Sequence, residues 1–160
     1  MNIVYVANEA FAPYLGASLA SLYERNKRVK NIRVFLISTG MSEGSLDQLE
    51  KMAKGYGRSL EVLYFNRLRE RVGFSVDTGR FDISIMGRLF VGELLPREIK
   101  RVLYLDCDTV VLHSLDRLYQ KDLKGKVLGA VPEPTIPVRV RYEIRLDPEA
   151  VYYNSGVLLI

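Results

Sequence analysis

The order of short apolar runs and helical patterns in the first 65 residues limits this chain to a narrow set of folds. Residues 2–7 read as a strand, and Pro13 then opens a helical pattern that places Leu15, Leu19 and Leu22 on one face. Residues 32–37 form a second apolar run. After them, Ser45-Leu46-Asp47-Gln48 reads as a capping box opening a helix in which Leu46, Leu49, Met52 and Ala53 recur at helical spacing, with Gly55 and Gly57 to stop it. Residues 60–65 are a third strand. A β-α-β-α-β order with short connections predicts parallel strands joined by right-handed crossovers, in an α/β domain of the nucleotide-binding kind.

The rest of the chain is less regular. Residues 66–80, with mixed charge, Gly73 and Gly79, read as a loop or irregular excursion, and 82–94 as a helix ending before Pro96. A short helical turn is expected at 115–119 and a strand at 127–131. Pro132, Pro134, Pro137 and Pro148 exclude long regular helices from 132–149, which reads as a surface excursion near a site. Val157-Leu158-Leu159-Ile160 reads as a buried strand with nothing after it. Natural termini usually taper into polar residues, so the expectation is a fragment truncated at its C-terminus.

At 160 residues and 48% hydrophobic content the chain suits one domain, 1–160, with a substantial core. A net charge of +4 favours anionic partners such as phosphates, nucleotides or an acidic membrane surface. Nucleic acid is not expected, because no basic stripe with interleaved aromatics stands out. The densest basic run, residues 25–33, reads first as a solvated helix end and second as a peripheral membrane contact. The single cysteine, Cys107, excludes an internal disulfide. Neither a secretory leader nor a membrane span is visible, so the expected location is the cytoplasm, with the inner face of the membrane as a variant.

The chemistry concentrates where an apolar run ends in two carboxylates, Val102-Leu103-Tyr104-Leu105-Asp106-Cys107-Asp108. Ionised carboxylates one residue apart repel unless a cation lies beside them. Asp-x-Asp arises by chance about 0.4 times in a chain of this composition, so the setting has to carry the argument. Here the pair lies at the carboxyl end of a buried strand, where open α/β sheets bind ligands. Neither a Gly-x-Gly-x-x-Gly turn nor a P-loop is present, which leaves a metal held by Asp106 and Asp108 as the way to grip a diphosphate.

Four segments, in order, carry a family resemblance: Ile3-Val4-Tyr5-Val6-Ala7-Asn8 with Tyr14-Leu15 and Ser18-Leu19; Arg88-Leu89 before Leu94-Leu95-Pro96; Arg101 through Asp108; and Tyr153-Asn154-Ser155-Gly156-Val157-Leu158-Leu159. Together they resemble the retaining glycosyltransferases of family 8, the group of glycogenin-like enzymes and bacterial lipopolysaccharide galactosyl- and glucosyltransferases. The resemblance implies a nucleotide-diphospho-sugar transferase fold of GT-A type with a mostly parallel sheet. It also implies transfer of a hexose from a UDP-sugar to a glycan or lipid-linked glycan acceptor. Asp106 and Asp108 would hold Mn²⁺ or Mg²⁺. Ala7, Asn8, Arg88, Asp106 and Cys107 would form the nucleotide side of the site. Arg88, Asp106, Glu133, Asn154, Ser155 and Gly156 would form the sugar side. No catalytic nucleophile is assigned, and a front-face route fits retention equally well.

The chain departs from the family pattern where Met86-Gly87 replaces an aromatic residue before the Arg, and at the acidic position near Asn8 and Glu9. The family's third metal ligand, a His, and much of its acceptor site come from sequence beyond residue 160. His113 is not expected to supply that ligand, because its segment leads away from Asp108. Competing roles are a core position for Cys107, a helix ion pair with Glu93 for Arg88, and a turn or bulge position for Asn154. Two other functions compete: a haloacid-dehalogenase-like phosphatase with Asp106 as nucleophile and Asp108 as acid/base, and a non-catalytic nucleotide-sugar-binding fragment.

Overall fold

The computed structural model describes residues 1–72, 82–147 and 149–160. A six-stranded sheet is built from β1 (Asn2–Ala7), β2 (Arg33–Ser38), β3 (Leu60–Tyr64), β4 (Leu103–Leu105), β5 (Gly129–Pro132) and β6 (Tyr153–Leu159). Its spatial order is β3-β2-β1-β4-β6-β5. The first four strands run parallel, and β6 runs antiparallel to both β4 and β5. The expected α/β, mostly parallel sheet is therefore the one observed.

Both faces of the central strands β1, β2 and β4 are covered, which is why they read as continuous apolar runs and not as alternating ones. Strands β3, β5 and the start of β6 are more exposed than the buried strand expected at 157–160. Ile3, Tyr5, Ala7, Val34, Leu36, Leu103 and Leu105 point into one core. There they meet Leu15, Leu19 and Leu22 of α1 (Ala12–Arg25) and Leu46, Leu49 and Ala53 of α2 (Glu43–Gly55). Val4, Val6, Phe35, Ile37 and Tyr104 point the other way, onto Leu68 of α3 (Leu68–Val72), Val91 of α4 (Val91–Leu94) and Leu95. The period-2 alternation of side chains thus divides each strand between two cores. Among the described residues, no helix is long and apolar enough to cross a membrane.

Several local expectations shift. Helix α2 is capped by Ser42, whose Oγ accepts from the Ser45 amide at 3.2 Å, so the cap lies three residues before the Ser45 box. The reciprocal carboxylate comes from outside the helix, since Glu9 accepts from the Ser42 amide at 2.7 Å and from Ser45 Oγ at 2.8 Å. The 82–94 helix is a 3₁₀ helix over Ile83–Phe90 that passes into α4. A Cβ on Gly87 would lie 2.6 Å from Val6 Cγ1, so this tight segment crosses β1 at the one residue without a side chain. Gly87 of the Met86-Gly87 departure therefore has a steric reason. Part of the 66–80 excursion is helical as α3, while Gly73 and Gly79 lie outside the described residues.

The short helices α5 (Asp116–Tyr119) and α6 (Val138–Glu143) fit the turn expected at 115–119 and the exclusion of long helices from 132–149. Pro148 lies outside the described residues. In the basic run, Arg58 donates to the Val29 and Lys30 carbonyls at 2.6 and 2.7 Å. Asn26, buried at the end of α1, accepts from the Leu115 amide at 2.9 Å and the Ser114 hydroxyl at 3.2 Å.

Candidate active site

The chain leaves β1 toward β2 on one side and reaches β4 on the other, so the sheet order reverses between β1 and β4. A crevice at the carboxyl ends of these strands is the expected ligand position in an open α/β sheet. Asn8 follows β1 there, and Asp106 follows β4. Because β6 is antiparallel, with Leu105 opposite Val157, its beginning also lies at this edge and brings Asn154, Ser155 and Gly156 to the same place.

Asp106 is fixed through nearly every polar atom. Its amide donates to the Gly156 carbonyl at 2.7 Å, and its own carbonyl accepts from Thr109 Oγ1 at 2.7 Å. Thr109 is in turn linked to Ser18 at 3.2 Å and, through Ser18, to the Tyr5 hydroxyl at 3.0 Å, a buried polar ladder that pins the carboxylate turn to α1. Asp106 Oδ1 takes the Tyr104 hydroxyl and an ion pair from Arg88 Nη2 at 3.0 Å. Its Oδ2 faces Gly156, where a Cβ would stand only 2.9 Å away.

Arg88 is anchored by donating to the Ile85 carbonyl at 3.0 Å and to the Ser155 carbonyl and hydroxyl at 2.8 Å each. Its guanidinium lies 5.1 Å from the centroid of the Tyr104 ring. Glu93, the alternative partner for Arg88, instead pairs with Arg71 at 2.6 Å. Asp108 is exposed, and among the described residues it has no hydrogen bond or ion pair. Arg88 and Asp106 stand between two openings. One, of about 140 Å³, is lined by Phe11, Ser84, Tyr104, Cys107 and Asp108. The other, of about 390 Å³, is lined by Met86, Leu89, Asn154, Ser155 and Gly156.

The remaining expected residues divide between the crevice and the core. Asn154 Oδ1 accepts from the Gly156 amide at 2.8 Å, and its amide nitrogen lies 3.4 Å from Glu133 Oε2. Glu133 is held below the usual carboxylate range by hydrogen bonds from Thr135, with a smaller contribution from Asn154. Asn8 has a buried Oδ1 without a partner among the described residues. Nearby, the Asp82 carboxyl is raised by burial but brought below its ordinary value chiefly by the hydrogen bond from the Ser84 amide, with a smaller lowering from Asn8. Ala7 is buried in the core, with its carbonyl taken by the Thr39 amide at 2.9 Å.

Cys107 is buried and donates to the Val6 carbonyl at 3.0 Å. Burial, helped by the charges of Asp106 and Asp108, pushes its thiol up to about 12, so it stays neutral. His113 is exposed, and among the described residues no group of three or more His, Cys, Asp or Glu side chains is arranged to hold a metal. The donor set at Asp106 and Asp108, hard carboxylate oxygens at an open edge, fits Mn²⁺ or Mg²⁺. The site also contains Tyr104, which the sequence presents only as part of an apolar strand. The available signal was a Tyr inside an aliphatic strand, since a buried phenol needs a polar partner. Burial, together with the Asp106 charge, raises its pKa and keeps it a hydrogen-bond donor.

A parallel α/β sheet with an antiparallel strand inserted beside β4, and an Asp-x-Asp turn at the switch point, is the GT-A architecture found in glycosyltransferases. The chain belongs to glycosyl transferase family 8, whose model matches residues 2–160. Membership of this family speaks against the haloacid-dehalogenase-like phosphatase, in which Asp106 would be the nucleophile. The chain is 25% identical over its whole length to general stress protein A of Bacillus subtilis, covering 55% of that protein. It is 26% identical to a lipopolysaccharide 1,2-glucosyltransferase of Escherichia coli strain K12, again over its whole length, covering 47% of that enzyme. Among solved structures, it superimposes on the galactosyltransferase LgtC, in complex with donor and acceptor sugar analogues, with a TM-score of 0.87 and 28% identity. That match covers 100% of this chain and 57% of LgtC. The chain thus spans about half the length of the relatives it matches.

Proposed function

We propose that this chain forms the donor-binding half of a metal-dependent retaining transferase that moves a hexose from a UDP-sugar to a glycan or lipid-linked glycan acceptor. The observation that carries this reading is the convergence of Asp106, Asp108, Arg88 and the Asn154–Gly156 strand start at the sheet's switch point. On the nucleotide side, Phe11 gives the opening beside Asp106 and Asp108 an apolar wall against which a base can lie. On the other side, Asn154 and Glu133 offer a donor and an acceptor of the kind that sugar hydroxyls need.

Breaking the sugar–phosphate bond leaves a diphosphate. Arg88, held rigid and 17% exposed, would meet the charge that grows on it, and fixed donors of this kind stabilise a transition state more than the substrate. When bound at Asp106 and Asp108, a divalent cation supplies Lewis acidity to the same diphosphate. Gly156 lets the strand backbone close on Asp106 without covering Oδ2. The test is calorimetric titration with UDP, UDP-glucose and UDP-galactose, with and without Mn²⁺, on the wild type and on Asp106→Asn and Asp108→Asn. Metal-dependent UDP binding, lost in both variants, is the expected result. Binding of inorganic phosphate mimics with no preference for nucleotide would overturn the reading.

A further inference from the structure

The ion pair at Asp106 makes the site a poor one for a bare cation. Arg88 cannot readily move aside, because Ile85, both oxygens of Ser155 and the Tyr104 ring hold it from several directions. A divalent ion bridging Asp106 and Asp108 would share Asp106 with a guanidinium already 3.0 Å from Oδ1. With Arg88 counted, these side chains offer the ion a single net negative charge, and no third carboxylate, His or Cys joins them among the described residues.

We infer that Arg88 makes cation binding conditional on nucleotide binding. This rests on the reading of the site as a metal and diphosphate clamp. A diphosphate brings the negative charge that lets the guanidinium and the ion occupy one site together, and it accepts hydrogen bonds from the guanidinium edge. The coupling is reciprocal: whatever factor UDP adds to the affinity for the ion, the ion adds to the affinity for UDP. Arg88 is then a specificity device as well as a phosphate ligand. It disfavours the cation alone, and it admits the cation once the nucleotide's negative charge is present.

The test compares Mn²⁺ affinity, with and without saturating UDP, in the wild type, Arg88→Met and Arg88→Gln. The Gln variant keeps an amide that can donate to Ser155, so it guards against a Met variant that fails to fold. Mn²⁺ alone is expected to bind both variants at least about tenfold more tightly, since removing a fixed positive charge beside a divalent ion is worth that much even in a water-like dielectric. The factor by which UDP raises Mn²⁺ affinity is expected to shrink in both. Unchanged or weaker binding of Mn²⁺ alone in the folded variants overturns the inference, as does an undiminished UDP effect. If Mn²⁺ and UDP together fail to bind the wild type, the clamp reading falls, and the Mn²⁺-only comparison still reports on Arg88.

Discussion

The two carboxylates of the Asp-x-Asp turn are not equivalent. Asp106 is held by Thr109, Gly156, Tyr104 and Arg88, whereas Asp108 is exposed and unpaired among the described residues. One is preorganised, and the other is free to adapt to whatever arrives. Only glycine fits opposite Asp106, since a Cβ at 156 would lie 2.9 Å from Asp106 Oδ2 and 3.1 Å from Asn154 Oδ1. Gly156→Ala should therefore displace both groups at once. We expect metal-dependent UDP affinity to fall about tenfold, as for other losses of support around a metal ligand, with little change in melting temperature. Affinity equal to wild type in calorimetry would show that the carboxylate has room to turn. The spacing of Asp106, Asp108 and Asn154 was legible in the sequence. The partner of Arg88 was not, because the sequence offered only its neighbour Glu93 as a competing carboxylate and the fold alone brings position 88 to 106.

The elements were legible where one period dominated. β1, α1, β2, α2 and β3 lie within a residue or so of their expected bounds for α1 and the strands, because each has an apolar face and a local stop signal. Helix α2 began earlier than its Ser-x-x-Gln pattern suggested, since Glu9, distant in sequence, supplies the carboxylate that a local box would supply. In sequence the 3₁₀ segment is indistinguishable from an ordinary helix, because its apolar residues are dense enough to fit either winding. Its geometry depends on contact with β1 at Gly87. Gly87→Ala would drive a methyl group into Val6, and overpacking of this kind costs about 1–3 kcal/mol. Chemical denaturation should show that loss. Because Arg88 is the next residue, UDP binding should weaken beyond what the stability change explains.

Across the whole molecule, Glu9 ties the loop after β1 to the start of α2, and so fastens the edge that carries Asn8. The Ser42 amide and then the Ser45 hydroxyl hold its carboxyl below the ordinary value of 4.5. A depressed carboxyl stabilises the fold above its unfolded pKa, and the contribution fades as pH falls through the folded one. The melting temperature of the wild type should therefore exceed that of Glu9→Gln by a constant margin near neutrality, and the margin should close below about pH 4.5. A margin independent of pH would assign the tie to packing. The antiparallel course of β6 has one more consequence, for the order of synthesis. A chain emerging from the ribosome can complete β1 to β4 while β4 still presents an unpaired edge, and the strand that covers it comes some fifty residues later, since Leu103 pairs with Leu159. The crevice therefore gains its Asn154–Gly156 wall in the same event that protects that edge, so a nascent chain with a complete crevice is also one whose sheet no longer invites another chain's strand.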